Sequence, residues 1–135
     1  MRLQGSYWKE GKFWLIEVPA LDLMTQGETK KEALFMIQDA IEELIDAKDV
    51  KVDLQVEKNG EFSVGCNEAR FLIALMLKRL RRAHNVIIQE VVDRLGVSSK
   101  NSYAQYEQAK SEPTTSKISQ FLEAINPSLR VPVLL

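Results

Sequence analysis

Five polar residues close to position 100 have side chains that can read base edges in duplex DNA: Ser99, Lys100, Asn101, Ser102 and Gln105. Asparagine and glutamine pair with adenine through one acceptor and one donor, and lysine donates to guanine or to phosphate. Whether these side chains can act together depends on the secondary structure that carries them.

Periodicity predicts three short helices in this region, at 88–95, 99–108 and 115–125. Gly96, Val97 and Ser98 separate the first two. A short helix, a glycine-containing turn and a second short helix form a helix-turn-helix, whose second helix enters the major groove with its N-terminus first. We expect Val97 to be buried between the helices and Ser98 or Ser99 to cap the second one.

A longer helix is predicted before this unit, capped by Asn67 and running to Ala83. Residues 71–77 are apolar almost all round, which predicts burial on several sides, against another domain or subunit. Arg81 and Arg82 lie near its end, and they are either a solvated helix face or contacts to DNA phosphates. The alternative interpretation of this whole half is a helical dimerisation bundle.

Three separated motifs resemble the XRE (Cro/repressor-like) helix-turn-helix family: Leu95-Gly96-Val97-Ser98, Tyr106-Glu107 and Pro113-Thr114. The resemblance covers about residues 77–125 and places residues 99–102 and 105 on the recognition helix. Independently of the resemblance, the helix-turn-helix arrangement leads us to expect that Tyr103 and Tyr106 face the domain core.

The chain departs from that family at several positions. Ile87-Ile88 stands where the family has Thr-Gln, so an expected phosphate contact is missing and Gln89 is the candidate to replace it. Asn85 and Ala109 stand where the family has glycines. These changes affect individual contacts more than the fold.

The first half has the pattern of a small α/β domain. Alternating residues predict strands at 2–8 and 12–18, a short strand at 23–26, and strands at 50–57 and up to Cys66. Thr29 and Glu32 open a predicted helix over 30–47. Asn59-Gly60 predicts a tight hairpin between the last two strands. The predicted order is β-β-β-α-β-β.

The sequence offers no convincing catalytic set, so we expect no enzymatic activity and no cofactor. His84, the only histidine, is predicted at a helix end, and Cys66, the only cysteine, at the end of a strand. The carboxylates Glu42, Glu43 and Asp46 suit a solvated helix face better than a metal site.

The segment from Phe13 to Ala33 resembles the core motif of HicB antitoxins, through Glu17-Val18-Pro19, Thr25-Gln26-Gly27-Glu28-Thr29 and Glu32-Ala33-Leu34. Where the family often has Pro-Gly-Cys, this chain reads Pro19-Ala20-Leu21. The resemblance implies a partial RNase H-like fold without catalytic carboxylates. It also implies that the partner is a HicA-like toxin, a small basic mRNA interferase that the antitoxin occludes.

The charge distribution supports a division of the chain into domains 1–66 and 67–135. The first holds 8 Lys and Arg against 13 Asp and Glu, a net charge of −5, and the second holds 10 against 6, a net charge of +4. An acidic domain suits a basic partner, and a basic domain suits DNA. The residues that we expect to contact the toxin are Tyr7, Trp8, Trp14, Glu42, Glu43 and Asp46, although core packing is an equal alternative for the tryptophans.

We therefore expect an α+β protein: a HicB-like domain followed by an all-α helix-turn-helix domain that binds operator DNA as a homodimer or higher homo-oligomer. The extended tail 130–135 is either part of that contact or a frayed end. The sequence has no membrane span or signal core, and a single cysteine suits the cytoplasm. Two other interpretations stay open: a transcription regulator whose first domain senses a small molecule or oligomerises, and a degenerate RNase H-like nuclease using Asp22 or Asp46.

Overall fold

The computed structural model describes residues 1–129 and, in the tail, the backbone of Val133 and Leu134. It divides the chain into two compact units, Met1–Glu68 with Val131–Leu135, and Ala69–Arg130. The division falls two residues after the predicted boundary at 66, and the tail strand, predicted in the second domain, belongs to the first unit. The expected mixed α+β class is confirmed.

The first unit follows the order β-β-β-α-β-β. Its elements are β1 (Arg2–Glu10), β2 (Phe13–Val18), β3 (Leu23–Gly27), α1 (Lys30–Ile45), β4 (Val52–Val56) and β5 (Glu61–Cys66), and the tail adds β6 (Val133–Leu134). Pro19 follows β2 and opens a 3-10 turn, Pro19–Leu21.

The strands form one antiparallel sheet in the order β3-β2-β1-β5-β4, and β6 pairs with the start of β1. The predicted hairpin is present, with Asn59 and Gly60 at φ of +62° and +76°. Tyr7 pairs with Ile16 across β1 and β2, and Gly5 pairs with Phe62 across β1 and β5.

Helix α1 covers one face of this sheet. Thr29 caps it by accepting from the amide of Glu32 at 3.0 Å, and Ala33, Ile37 and Ile41 are buried. Gly27 permits this close packing, because a Cβ atom there would lie 2.5 Å from the backbone nitrogen of Ala33.

The second unit consists of four helices: α2 (Ala69–Ala83), α3 (Ile88–Leu95), α4 (Asn101–Glu107) and α5 (Thr115–Ile125). As predicted, α2 carries an almost continuous buried run, residues 72–77. In the described part of the chain, every helix is too short or too polar to cross a membrane.

Asn67 has a different role from the predicted one. Helix α2 begins at Ala69, and the Asn67 side chain turns to the loop before β4. Its Oδ1 accepts from the Lys51 amide at 2.8 Å, and its Nδ2 donates to the Asp49 carbonyl at 3.0 Å. The Asn67 side chain is therefore the hydrogen-bond partner of two backbone groups in this loop.

Candidate nucleic-acid interface and partner surface

The turn between α3 and α4 begins with a left-handed glycine. Gly96 has a φ of +73°, and its N–H donates to the Asp93 carbonyl. The turn continues to Lys100, so α4 starts two residues later than predicted. Val97 is 38% exposed within this longer turn, and the expectation that it is buried was wrong.

Ser99, one of the two residues expected to cap α4, lies in the turn just before the helix. Its hydroxyl accepts from the Asn101 amide at 3.2 Å, while the helix's own N-cap, Lys100, makes no side-chain cap. Ser99 and Lys100 are both exposed. The two predicted contacts at the helix entrance are therefore accessible.

Helix α4 has a polar side and a buried side. The polar side, which we term the α4 row, consists of Asn101, Ser102 and Gln105 together with the C-cap residue Gln108. Gln105 is half-buried and the other three are exposed. Spacings of three and four residues put Asn101, Gln105 and Gln108 on one helix face. The predicted base-reading residues thus lie together at the N-terminal end and along one side of α4.

The buried side of α4 packs against α5. Tyr103 meets Phe121 edge to face, with ring centroids 5.1 Å apart, and Tyr106 lies 5.2 Å from the same ring. Tyr106 also accepts a hydrogen bond from Lys117 Nζ at 2.9 Å. The expectation that both tyrosines face the core is confirmed, and their packing sets the rotation of α4.

Arg81 joins α2 to α4 in the core. Its Nε and Nη2 donate to the two carboxylate oxygens of Glu107 at 2.7 and 2.9 Å, and its Nη1 donates to the Val86 carbonyl at 3.0 Å. The guanidinium's pKa is raised above its usual value, chiefly by the hydrogen bonds to Glu107. Arg81 is 8% exposed and Glu107 4%. Phosphate contact by Arg81 was therefore a wrong prediction, because its donors are used inside the unit.

The Tyr103 hydroxyl lies beside this pair. It is buried without a hydrogen-bond partner among the described residues. Burial, followed by the negative charge of Glu107, raises the pKa of Tyr103 above its ordinary value. The phenol therefore keeps its proton to a higher pH than an ordinary tyrosine does.

Two other predicted DNA contacts lie on the neighbouring helices. Arg82 is exposed in the last turn of α2. Gln89 is half-buried on α3, and its Nε2 donates to Asp93 at 2.8 Å. Lys117, near the start of α5, was not among the predicted residues, and its ammonium supports Tyr106 by donating to the Tyr106 hydroxyl at 2.9 Å.

In the first unit, Tyr7 is a core residue. It is 7% exposed, and its ring centroid lies 6.2 Å from those of Trp14 and Phe62. Its predicted role as a toxin contact is wrong, because its side of β1 faces the helix-covered side of the sheet. Trp14 shares that side, whereas Trp8, opposite Leu15, lies on the other; both tryptophans are half-buried.

Glu42 is also structural. It is half-buried, and its Oε2 accepts from the Val52 amide at 3.4 Å. One turn earlier, Gln38 donates to the Val52 carbonyl at 2.7 Å. These two α1 side chains hold both backbone polar groups of a residue in the edge strand β4. Glu42 is therefore less exposed than predicted, and its role as a toxin contact stays a prediction.

The outward side of α1 combines carboxylates with large apolar side chains. This α1 outer face consists of Glu32, Phe35, Met36, Asp39 and Glu43, all of them exposed. Phe35 is 64% exposed, an unusual position for a phenylalanine. Asp46, also exposed, ends the helix at a φ of +47°. An apolar centre with an acidic rim is suited to a basic protein partner.

The remaining reactive groups fit structural roles. His84 Nδ1 lies 3.0 Å from the Leu80 carbonyl at the end of α2, as expected. Cys66 ends β5, and burial raises the pKa of its thiol, which disfavours the nucleophilic thiolate. Among the residues that the structure describes, no three His, Cys, Asp or Glu side chains are grouped to hold a metal ion.

A scan of the chain against protein-family models finds no match, and a search of the curated proteins finds no relative.

Proposed function

We propose that the chain is a cytoplasmic antitoxin of the HicB type. Its second unit binds the operator of its own operon as a homodimer or higher homo-oligomer and represses it. Its first unit neutralises a HicA-like mRNA interferase by direct binding, and the chain has no catalytic activity of its own. The proposal combines the motif resemblances with the two surfaces described above.

The observation that carries the DNA-binding part is the two-sided character of α4. Tyr103, Tyr106 and Glu107 anchor one side in the core, and the α4 row occupies the other. A rigid helix with a polar face is what major-groove reading requires. The net charge of +4 in residues 67–135 adds attraction to phosphates.

This part is tested by measuring affinity for a duplex that covers the chain's own promoter. The Lys100→Ala/Asn101→Ala double variant should bind at least about tenfold more weakly, because each base contact contributes about 1–3 kcal/mol. Gln120→Ala, an exposed change on α5, is the matched control and should bind like the unaltered chain. Equal binding by the double variant would contradict the assignment of α4.

The antitoxin part is supported by the charge of −5 in residues 1–66 and by the α1 outer face. Phe35 and Met36 provide apolar area that a partner can cover, and the carboxylates around them attract a basic surface. Glu43 and Asp46 keep their predicted place in this contact, and Glu32, Phe35, Met36 and Asp39 join it.

The test uses a small basic protein encoded next to this gene, co-expressed and purified with the chain. Changing Glu32, Asp39 and Glu43 together to Lys should slow association, most strongly at low salt. Changing Glu10, Glu57 and Glu61 to Lys alters the net charge equally at exposed positions away from α1. If both sets of changes slowed association equally, the effect would come from net charge and not from the α1 outer face. If the unaltered chain formed no complex with the basic protein, the antitoxin function would be rejected.

The alternative is a transcription regulator whose first domain senses a small molecule or oligomerises. A cavity lined by Gln4, Gly5, Ser6, Pro19 and Glu61 has a volume of about 130 Å³. Ligand pockets commonly have about 300–1,000 Å³. This cavity therefore gives the sensing role little support.

A further inference from the structure

We infer that Ser111 is a positioning residue that determines which base Gln105 prefers. Its hydroxyl holds the oxygen of the Gln105 amide, so that the side chain offers DNA a hydrogen-bond donor. This inference rests on the proposed DNA-binding function of α4 and assigns a role to a residue outside that helix.

The half-buried position of Gln105 makes its side chain sensitive to the hydrogen bond from Ser111. Gln105 is the half-buried member of the α4 row, between exposed Asn101 and Gln108. A side chain packed on one side has fewer rotamers than its exposed neighbours, so one hydrogen bond is enough to fix its amide.

The chain after α4 folds back to bring Ser111 to this amide. Ala109 takes the left-handed conformation, with a φ of +58°, and the Lys110 amide donates to the Gln105 carbonyl at 3.0 Å. Arg70 Nη1 holds the turn from α2 by donating to the Ala109 carbonyl at 3.0 Å. Ser111 Oγ then donates to Gln105 Oε1 at 3.1 Å. Two backbone anchors therefore set the position of the hydroxyl.

The consequence follows from the chemistry of the amide. A glutamine that reads adenine uses both ends, with its oxygen accepting from N6 and its nitrogen donating to N7. Ser111 occupies only one of the two lone pairs of Gln105 Oε1, but turning the amide over to offer DNA its oxygen in place of Nε2 would break that hydrogen bond. The Nε2 donor suits an acceptor on the base edge, which guanine, adenine and thymine all offer in the major groove, whereas cytosine offers only its N4 donor.

The test is selection of duplexes from a random-sequence pool by the full chain and its variants. Gln105→Ala identifies the base pair that depends on Gln105. We expect guanine, adenine or thymine there, about fivefold less discrimination against cytosine in Ser111→Ala, and unchanged preferences elsewhere in the site. Ser111→Thr keeps the hydroxyl and should retain the preference, and Ser119→Ala, an exposed change on α5, should have no effect.

The possible outcomes distinguish a failure of the role of Ser111 from a failure of the proposed DNA-binding function. If the unaltered chain selects no motif, the DNA-binding function fails and this inference fails with it. A motif that prefers cytosine at the Gln105-dependent position, or one that Ser111→Ala leaves unchanged, overturns the role of Ser111 alone. Weaker binding of Ser111→Ala at every base pair, not restored by Ser111→Thr, would show a general structural role instead.

Discussion

Arg81 holds both carboxylate oxygens of Glu107, a residue 26 positions later in the chain, at 2.7 and 2.9 Å inside the second unit. Because Glu107 belongs to α4, this pair connects the helix that carries the candidate base-reading residues to the longest helix of the unit. A buried bidentate arginine–carboxylate contact fixes the relative position of the two helices more strictly than a single hydrogen bond.

Arg81→Ala should therefore destabilise the protein strongly. Removing one partner leaves the Glu107 carboxylate buried without its counter-charge, which typically costs about 3–5 kcal/mol. Urea unfolding followed by circular dichroism measures the effect. Arg82→Ala, the exposed neighbour, is the control and should change the free energy of unfolding by less than about 0.5 kcal/mol. Similar values for the two variants would contradict the structural role of Arg81.

Tyr103→Phe should leave stability unchanged or raise it by about 1 kcal/mol, because the hydroxyl is buried without a partner. Tyr106→Phe is the matched comparison, since it removes a hydroxyl that accepts from Lys117 at 2.9 Å. That variant should lose about 0.5–1 kcal/mol. Unfolding free energies at neutral pH distinguish the two, and a greater loss from Tyr103→Phe would mean that its hydroxyl is satisfied.

The buried Tyr103 hydroxyl should also make the stability of the chain more sensitive to alkaline pH. The pKa of Tyr103 is raised in the folded chain, so above the ordinary tyrosine pKa of about 10 the unfolded chain loses this proton while the folded chain keeps it. Deprotonation then favours the unfolded state, so the free energy of unfolding falls by about 1.4 kcal/mol for each further pH unit. Unfolding between pH 8 and 11 should show Tyr103→Phe losing less stability than the unaltered chain. Parallel curves would rule out the raised pKa.

Asn85, between α2 and α3, should tolerate glycine better than alanine. Its φ is +57°, a left-handed conformation in which an ordinary side chain with a Cβ costs about 1–2 kcal/mol, and asparagine less. Because Asn85 is exposed, the two changes differ little in packing. Asn85→Ala should lower the melting temperature, and Asn85→Gly should not. The reverse order would contradict the left-handed turn.

Much of the fold could be predicted from the sequence, since the relevant interactions are local. The Asn59-Gly60 hairpin and the Thr29 cap depend on residues within three positions of each other. The departures at Asn85 and Ala109 illustrate the same point, because both occupy left-handed positions where the resembled family has glycine. The polar side of α4 likewise follows from helical spacing.

The burial of Arg81 and Tyr7, and the partial burial of Glu42, were not predictable in this way. Arg81, Tyr7 and Glu42 each looked exposed, and each is held by atoms far along the chain or across the sheet. Sequence periodicity determined which side of each element is apolar. Only the tertiary structure decided whether a side chain between the apolar and polar sides of an element has a buried partner. The reason is that such a partner is a single complementary group, whose position depends on how a distant segment packs.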